Sequence, residues 1–220
     1  MSSPGRKSGA SELFIRREYP EIATRLLFVG QWLPMKGSRY LVEAFTRLHR
    51  QYPDVHLTCA GTLEARETVL AQFPAEVRNH VHVFPRVNTA EMLALHREAD
   101  LFVFPTLSEG FSLALIEAAA SGLPIVTTPV GASPDILFDG HRVVFCPPSD
   151  ADELVQCVAG LLDDRGFREL LGKNAQRAAQ AYRAESVGRD YASCLNRLMD
   201  EEDPLELGIR METVGIRRDR

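Results

Sequence analysis

From Thr24 onward, short runs of β-branched and apolar residues alternate with longer stretches of helical periodicity, and Gly or Pro ends most of the short runs. The runs RLLFVG (25–30), VHLTCAG (55–61), HVHVF (80–84), DLFVFP (100–105), PIVTT (124–128) and RVVFC (142–146) read as strands. Between and after them, 38–51, 63–73, 89–98, 111–121, a short stretch near 134–138, and 151–163 read as helices, and two more helical patterns run from 165 to 199. Asn88 with Glu91, and Asp150 with Glu153, have the spacing of a capping box, and Gly122 followed by Pro124 is a helix stop. Strands separated by helices cannot pair as hairpins; right-handed crossovers join them into a parallel sheet covered on both faces. The expected fold is α/β: a Rossmann-like, doubly wound parallel sheet with C-terminal helices.

Three parts are expected: a disordered or linker N-terminus over 1–23, which is Ser/Gly-rich and basic; the α/β domain with its C-terminal helices over 24–200; and a charged tail over 201–220 with no assigned role. With 220 residues, 45% of them hydrophobic, the chain can bury one sizeable core. Its net charge of −5 and scattered lysines and arginines do not form the basic face of a nucleic-acid binder, so nucleic acid is not an expected partner. The four cysteines lie far apart, with no CxxC pair and no histidine cluster at ligand spacing, which points to a reducing cytosol and no metal site. No apolar run approaches the roughly 20 residues of a membrane span, so the expectation is no membrane anchor of its own.

In a sheet of this kind, ligands lie outside the carboxyl ends of the strands, where the next helices begin. Glu109, Gly110 and Phe111 follow the strand that ends at Phe104-Pro105 and fall on that rim. The first turn of the helix there has N–H groups without helical partners, and Gly110 lets a ligand approach them, so this is a ready anion site. Glu109 and Glu117 stand eight positions apart, which on a helix is about 12 Å of rise and roughly 80° of rotation. Glycosidase acid/base pairs need about 5–9.5 Å between carboxyl groups, so these two are badly placed to act on one bond. They are better placed to grip separated parts of a long ligand.

Leu113, Leu115, Ile116 and Ala118–Ala120 surround Glu117, so its helix is expected to be buried almost all round. An ionised carboxylate there needs donors, and two sources are open: ligand hydroxyls, or an arginine or lysine from a neighbouring element. Glu109 has its own bland alternative, because the helix dipole favours an acidic residue in a first turn by about 0.3–1 kcal/mol without any ligand. A second loop, QWLPMKGS, follows Gly30 and brings Lys36 to the same rim, either as a cation for a phosphate or as an ordinary surface lysine. Neither nucleotide fingerprint fits: Trp32 stands where GxGxxG needs its second glycine, and the Walker A spacing is missing.

Three segments together carry a family resemblance: LLFVGQWLPMKGSRYLVEAF, VHVFPRVNTAEMLALHREADLFVFPTLSEGFSLALIEAAASGLPIVTTPVGASPDIL, and CPPSDADELVQCVAGLLDD. In that order they resemble the C-terminal, donor-binding domain of GT-B retaining glycosyltransferases of family 4 (glycosyl transferases group 1), over about 24–182. The glutamate, seven residues, glutamate pattern from Glu109 to Glu117 is its most specific piece. The resemblance implies that 24–200 is one half of a GT-B fold that binds a nucleotide diphosphate sugar, used as substrate, with no other cofactor and no metal. It implies that Glu117 holds the ribose hydroxyls, that Glu109 lies against the donor sugar, and that the N–H groups of Gly110, Phe111, Ser112 and Leu113 hold the diphosphate. Lys36 would stabilise the leaving diphosphate, which with Glu109 makes the catalytic pair. Gly30 and Gln31 would line the same site, and 84–87, with Arg86 and Val87, would face the base.

The sequence departs from the family at three of these places. Gln31 stands where many members carry an arginine beside the diphosphate, leaving Arg39 or Arg86 as the compensating cations. Ser112 replaces a frequent glycine, and Pro85, another glycine position, removes a backbone donor near the base. Family enzymes carry an acceptor-binding half before this one, and 1–23 is too short to be it. The expectation is a hexosyl or related transferase that needs an N-terminal acceptor domain or partner chain, cytoplasmic, and peripheral to a membrane only through that partner. The alternative is a non-catalytic nucleotide-sugar-binding or assembly module. Tyr182, Tyr191, Leu195 and Leu198 in the last helices would dock on the other half or pack on their own domain.

Overall fold

Strands that are apolar at nearly every position can be stable only where helices cover both faces, and they form the middle of the sheet. In the computed structural model, β1 (Arg25–Val29), β4 (Leu101–Phe104) and β5 (Ile125–Thr127) are buried along almost their whole length. The structure describes residues 17–137, 141–183, 186–189 and 192–193. With β2 (His56–Ala60), β3 (Val81–Phe84) and β6 (Val144–Phe145), the strands make a parallel sheet in the order β3-β2-β1-β4-β5-β6. The edge strand β3 alternates buried and exposed residues, as one open face requires.

Right-handed crossovers send the helices of the two half-sheets to opposite faces. Accordingly α1 (Ser38–Gln51) packs on α6 (Ala151–Asp163), and α4 (Leu113–Ala120) packs on α7 (Arg165–Ala179). The other helices are α2 (Arg66–Ala71), α3 (Thr89–Glu98) and the short α5 (Ser133–Ile136). The expected bounds of α1, α3 and α6 hold at both ends, and Asn88 and Glu91 close a complete capping box on α3. The expected helix over 63–73 is shorter, because Leu63 takes a left-handed conformation (φ 57°) and Thr62 turns back onto the Glu64 carbonyl.

The N-terminal boundary needs correction. The segment expected as linker up to residue 23 is packed structure from Arg17 onward: Arg17 donates to the carbonyls of Ser121 (2.8 Å), Ala99 (2.6 Å) and His96, and the Tyr19 hydroxyl donates to Gly122 O (2.9 Å). Arg168 of α7, fully buried, donates to four carbonyls, those of Leu161, Leu162, Pro20 and Glu21, at 2.6–2.9 Å. It ties the end of α6 to the entering chain. The C-terminal boundary also moves: the chain divides at Arg183, and in the second unit 186–189 are helical. Tyr191, Leu195 and Leu198 lie outside the described residues.

Four histidines crowd the edge of the sheet at the strand beginnings. The rings of His49 and His80 are 4.1 Å apart, His80 and His56 4.8 Å, and His56 and His82 5.5 Å. Burial, then the neighbouring rings of His80, His82 and His49, hold His56 below the ordinary histidine range, and burial does the same to His96. The unfolded chain therefore binds protons that the folded one refuses. Stability should be full above about pH 6.5 and fall as the pH drops below it, and His56→Phe should flatten that acid limb in urea titrations. Arg168→Met, which strands several buried carbonyls, should lower stability by about 2–5 kcal/mol in the same assay.

Candidate functional site

The order of the sheet reverses between β1 and β4, and the crevice outside their carboxyl ends is the switch point of a doubly wound fold. The chain leaving β1 turns through Pro34–Lys36, and the chain leaving β4 runs beside it: Met35 O accepts from the N–H groups of Leu107 (2.8 Å) and Ser108 (3.3 Å) and from the Thr106 hydroxyl (3.2 Å). Gly37, at φ 76°, makes this approach feasible, since a Cβ there would lie 1.9 Å from the Pro105 carbonyl oxygen. The loop after β5 grips the same segment from the other side. Gly131 (φ 57°) leaves room for the Glu109 carbonyl, which a Cβ would meet at 1.9 Å, and Ala132 N donates to Gly110 O at 2.9 Å. Sequence reasoning missed Gly131, whose signal is a lone glycine after a strand.

These braces bring Lys36 and Glu109 together. Lys36 Nζ donates to Glu109 Oε2 at 2.7 Å, with side chains 19% and 15% exposed, and lies 5.7 Å from the Phe104 ring centroid. Both residues were expected at the rim in catalytic roles, but a direct ion pair between them was not part of the expectation. Directly after Glu109 the helix mouth is open. Ser112 is the N-cap of α4 and its Oγ accepts from Leu115 N (3.4 Å), which is why the helix begins at Leu113 and not at 111. Among the described residues no acceptor takes the N–H groups of Gly110, Phe111, Ser112 or Leu113.

Glu117 differs from expectation. The first turn of α4 stands at the rim, so the helix is not buried all round: Leu113 is 66% exposed, and Glu117, one turn further on the same face, is half-buried. No arginine, lysine or other donor among the described residues reaches its carboxylate, and desolvation by burial alone pushes it above the ordinary glutamate range. The ion-pair alternative therefore has no partner among the described residues. The other expected residues surround this line. Gln31 is exposed after Gly30; neither Arg39 nor Arg86 is ion-paired among the described residues, and both are exposed. Val87 is half-buried on the core. Pro85 O accepts from Leu63 N (3.1 Å), lacing the two outer loops beside exposed Leu63 and Phe84. Phe111 meets the ring of Tyr182 (5.9 Å), so that part of the C-terminal region packs on its own domain.

A hollow of about 700 Å³ lies at the opposite end of the sheet, near Arg17, Arg25, Arg165 and Lys173. Its cations are already committed: Arg25 to Asp100, Arg165 to Glu21, Lys173 to Glu169, and Arg17 to carbonyls. Volume is a poor guide here, and the rim, with its open N–H groups and unpartnered carboxylate, is the chemically receptive place. Among the described residues no group of side chains could hold a metal ion, and no helix is long and apolar enough to cross a membrane.

A parallel sheet in this order, with unbonded N–H groups at its switch point, defines a Rossmann-like domain. The sequence matches the family described as Glycosyl transferases group 1 over residues 13–178, and the chain belongs to that family. MMP alpha-(1->4)-mannosyltransferase of Mycolicibacterium hassiacum is 35% identical over 183 residues, covering 80% of this chain and 44% of that protein. The chain thus spans less than half the length of the curated relatives it matches. In fold it is similar to the C-terminal domain of a glycosyl transferase group 1 family protein (LpcC) from Francisella tularensis, with TM-score 0.64, 20% identity, and 83% of this chain and 95% of that one covered. It is also similar to Alr3699/HepE of Anabaena, solved in complex with UDP, with TM-score 0.70, 19% identity, and 80% and 49% covered.

An unpartnered, partly desolvated carboxylate opposes folding of the empty domain. Because the folded Glu117 holds its proton to higher pH than the unfolded one, stability falls as the pH rises through that interval and stays reduced at neutral pH. Glu117→Gln should therefore raise the melting temperature of the ligand-free protein at pH 7, with the gain shrinking as the pH falls toward about 4.3. A buried ion pair at Glu117 would give the opposite sign.

Proposed function

We propose that this chain is the donor-binding half of a retaining glycosyltransferase that moves a hexosyl or related sugar from a nucleotide diphosphate sugar to an acceptor. The observation that carries this is the convergence, at one switch point, of Lys36, Glu109 and four open N–H groups, with Glu117 one turn beyond. An extended donor fits that line. Its diphosphate takes the helix mouth and Lys36, its sugar hydroxyls donate to Glu109, and its ribose hydroxyls donate to Glu117, which has no donor among the described residues. Gly30 and Gln31 border the diphosphate, and Arg86 and Val87 border the base. The UDP complex of the Anabaena protein and the mannosyltransferase relative support the donor class.

Catalysis in this reading is charge stabilisation of the leaving group. As the bond between the sugar C1 and the diphosphate oxygen breaks, the new negative charge meets Lys36 and the oriented N–H dipoles, which need no reorganisation. The acceptor oxygen bonds C1 from the same face, and its proton passes to the departing phosphate oxygen. That route requires neither a covalent nucleophile nor a metal. The acceptor half comes from another domain, on the same polypeptide or a partner chain; the share of its relatives that this chain spans supports that. The proposed setting is the cytoplasm, with any membrane contact made through the acceptor half.

Isothermal titration with UDP, GDP and ADP and their sugar conjugates, without added metal, tests the donor site and names the base. Glu117→Gln is expected to weaken donor binding by about 1.5–3 kcal/mol, the scale of a hydrogen bond to a charged group, and Lys36→Ala to weaken the diphosphate of every ligand alike. Saturable binding unaffected by Glu117→Gln would remove the ribose role. Tight donor binding without turnover, even with an acceptor half supplied, would favour a binding module.

A further inference from the structure

The Lys36–Glu109 pair is closed in the ligand-free protein, and both of its ends are fixed from behind. Gly37 seats the Lys36 turn against Pro105, and Gly131 and Ala132 seat Glu109-Gly110. The side chains cannot drift apart by backbone motion without breaking those contacts. Lys36, the cation of the proposed diphosphate site, is therefore already neutralised by a carboxylate 2.7 Å away, in partly desolvated surroundings where charge interactions are stronger than in water. Gln31 supplies no second charge, and no other basic side chain among the described residues touches the pair.

A ligand that recruits Lys36 to its phosphates takes away the partner of Glu109. A nucleoside diphosphate offers nothing in exchange: its phosphates are acceptors, and Glu109 is left as an unpartnered, like-charged neighbour. A nucleotide sugar brings hydroxyl donors on the far side of the same phosphates, and they can replace Lys36 on the carboxylate. We propose that Glu109 is a specificity-determining residue that acts through Lys36, making the site favour the sugar conjugate over the bare nucleoside diphosphate. After transfer, loss of the sugar hydroxyls lets Glu109 recapture Lys36, which weakens the hold on the product and speeds its departure. This rests on the donor-site reading above and adds to it a means of product rejection.

The test measures dissociation constants for two probe pairs, UDP with UDP-glucose and GDP with GDP-mannose, on the unaltered chain and on Glu109→Gln, per folded molecule. Glu109→Gln is expected to bind the bare diphosphate about fivefold more tightly, the scale of relieving one screened charge contact, while binding the sugar conjugate more weakly. Glu109→Asp, which keeps the charge but draws it back from Lys36, should move both affinities in the same directions by less. Unchanged or weakened binding of the bare diphosphate in both variants would overturn the inference while leaving the donor site standing. Failure of the unaltered protein to bind any of the four probes would remove the donor site, and this inference with it.

Discussion

β1 and β4 lie side by side in the sheet, and the helices that follow them go to opposite faces, so the two loops between must part at the strand ends. Everything receptive in this domain depends on that parting. The crevice it makes is bordered by the first turn of α4 and by the Pro34–Lys36 turn. Close backbone approach at Gly37 and Gly131 locks the loops after β1, β4 and β5 into one body, so a lysine and a glutamate far apart in sequence become fixed neighbours.

Part of this rim does nothing for the stability of the empty fold. Among the described residues Glu117 is partly desolvated without a donor, and the N–H groups of Gly110 to Leu113 have no acceptor. At the other end of the sheet two buried charged residues serve the backbone instead. Asp100, nearly buried, accepts from the backbone of Thr24 and Arg25 and from the Arg25 side chain, and buried Arg168 satisfies four carbonyls. Both of those residues lie at the strand beginnings, whereas Glu117 and the mouth of α4, at the strand ends, have no partner among the described residues. That contrast singles out the carboxyl edge as the receptive one.

Most of the fold was legible because period and caps agree. α1, α3 and α6 have strong periodicity or side-chain caps, and their bounds could be read from residues alone. α4 was misread by two residues because the Ser112 side chain ends the loop by capping, a choice that sequence does not distinguish from a helical serine. Arg17 and Arg168 were invisible for a related reason: an arginine that serves buried carbonyls looks, in sequence, like any surface arginine. Of the site, the separate members Lys36, Glu109 and Glu117 were legible from position on the rim and from family pattern. The Lys36–Glu109 contact and the open flank of α4 were not, since both depend on how the β4 and β5 loops pack.

The most direct test of the central claim, that the β1/β4 switch point binds a donor through the mouth of α4, is a crystal structure of the chain with UDP-glucose or GDP-mannose, whichever binds. The account predicts diphosphate oxygens within hydrogen-bond distance of the Gly110–Leu113 N–H groups and Lys36, with ribose on Glu117. Ligand density in the hollow at the other end of the sheet, beside Arg17 and Lys173, with an empty α4 mouth, would contradict it.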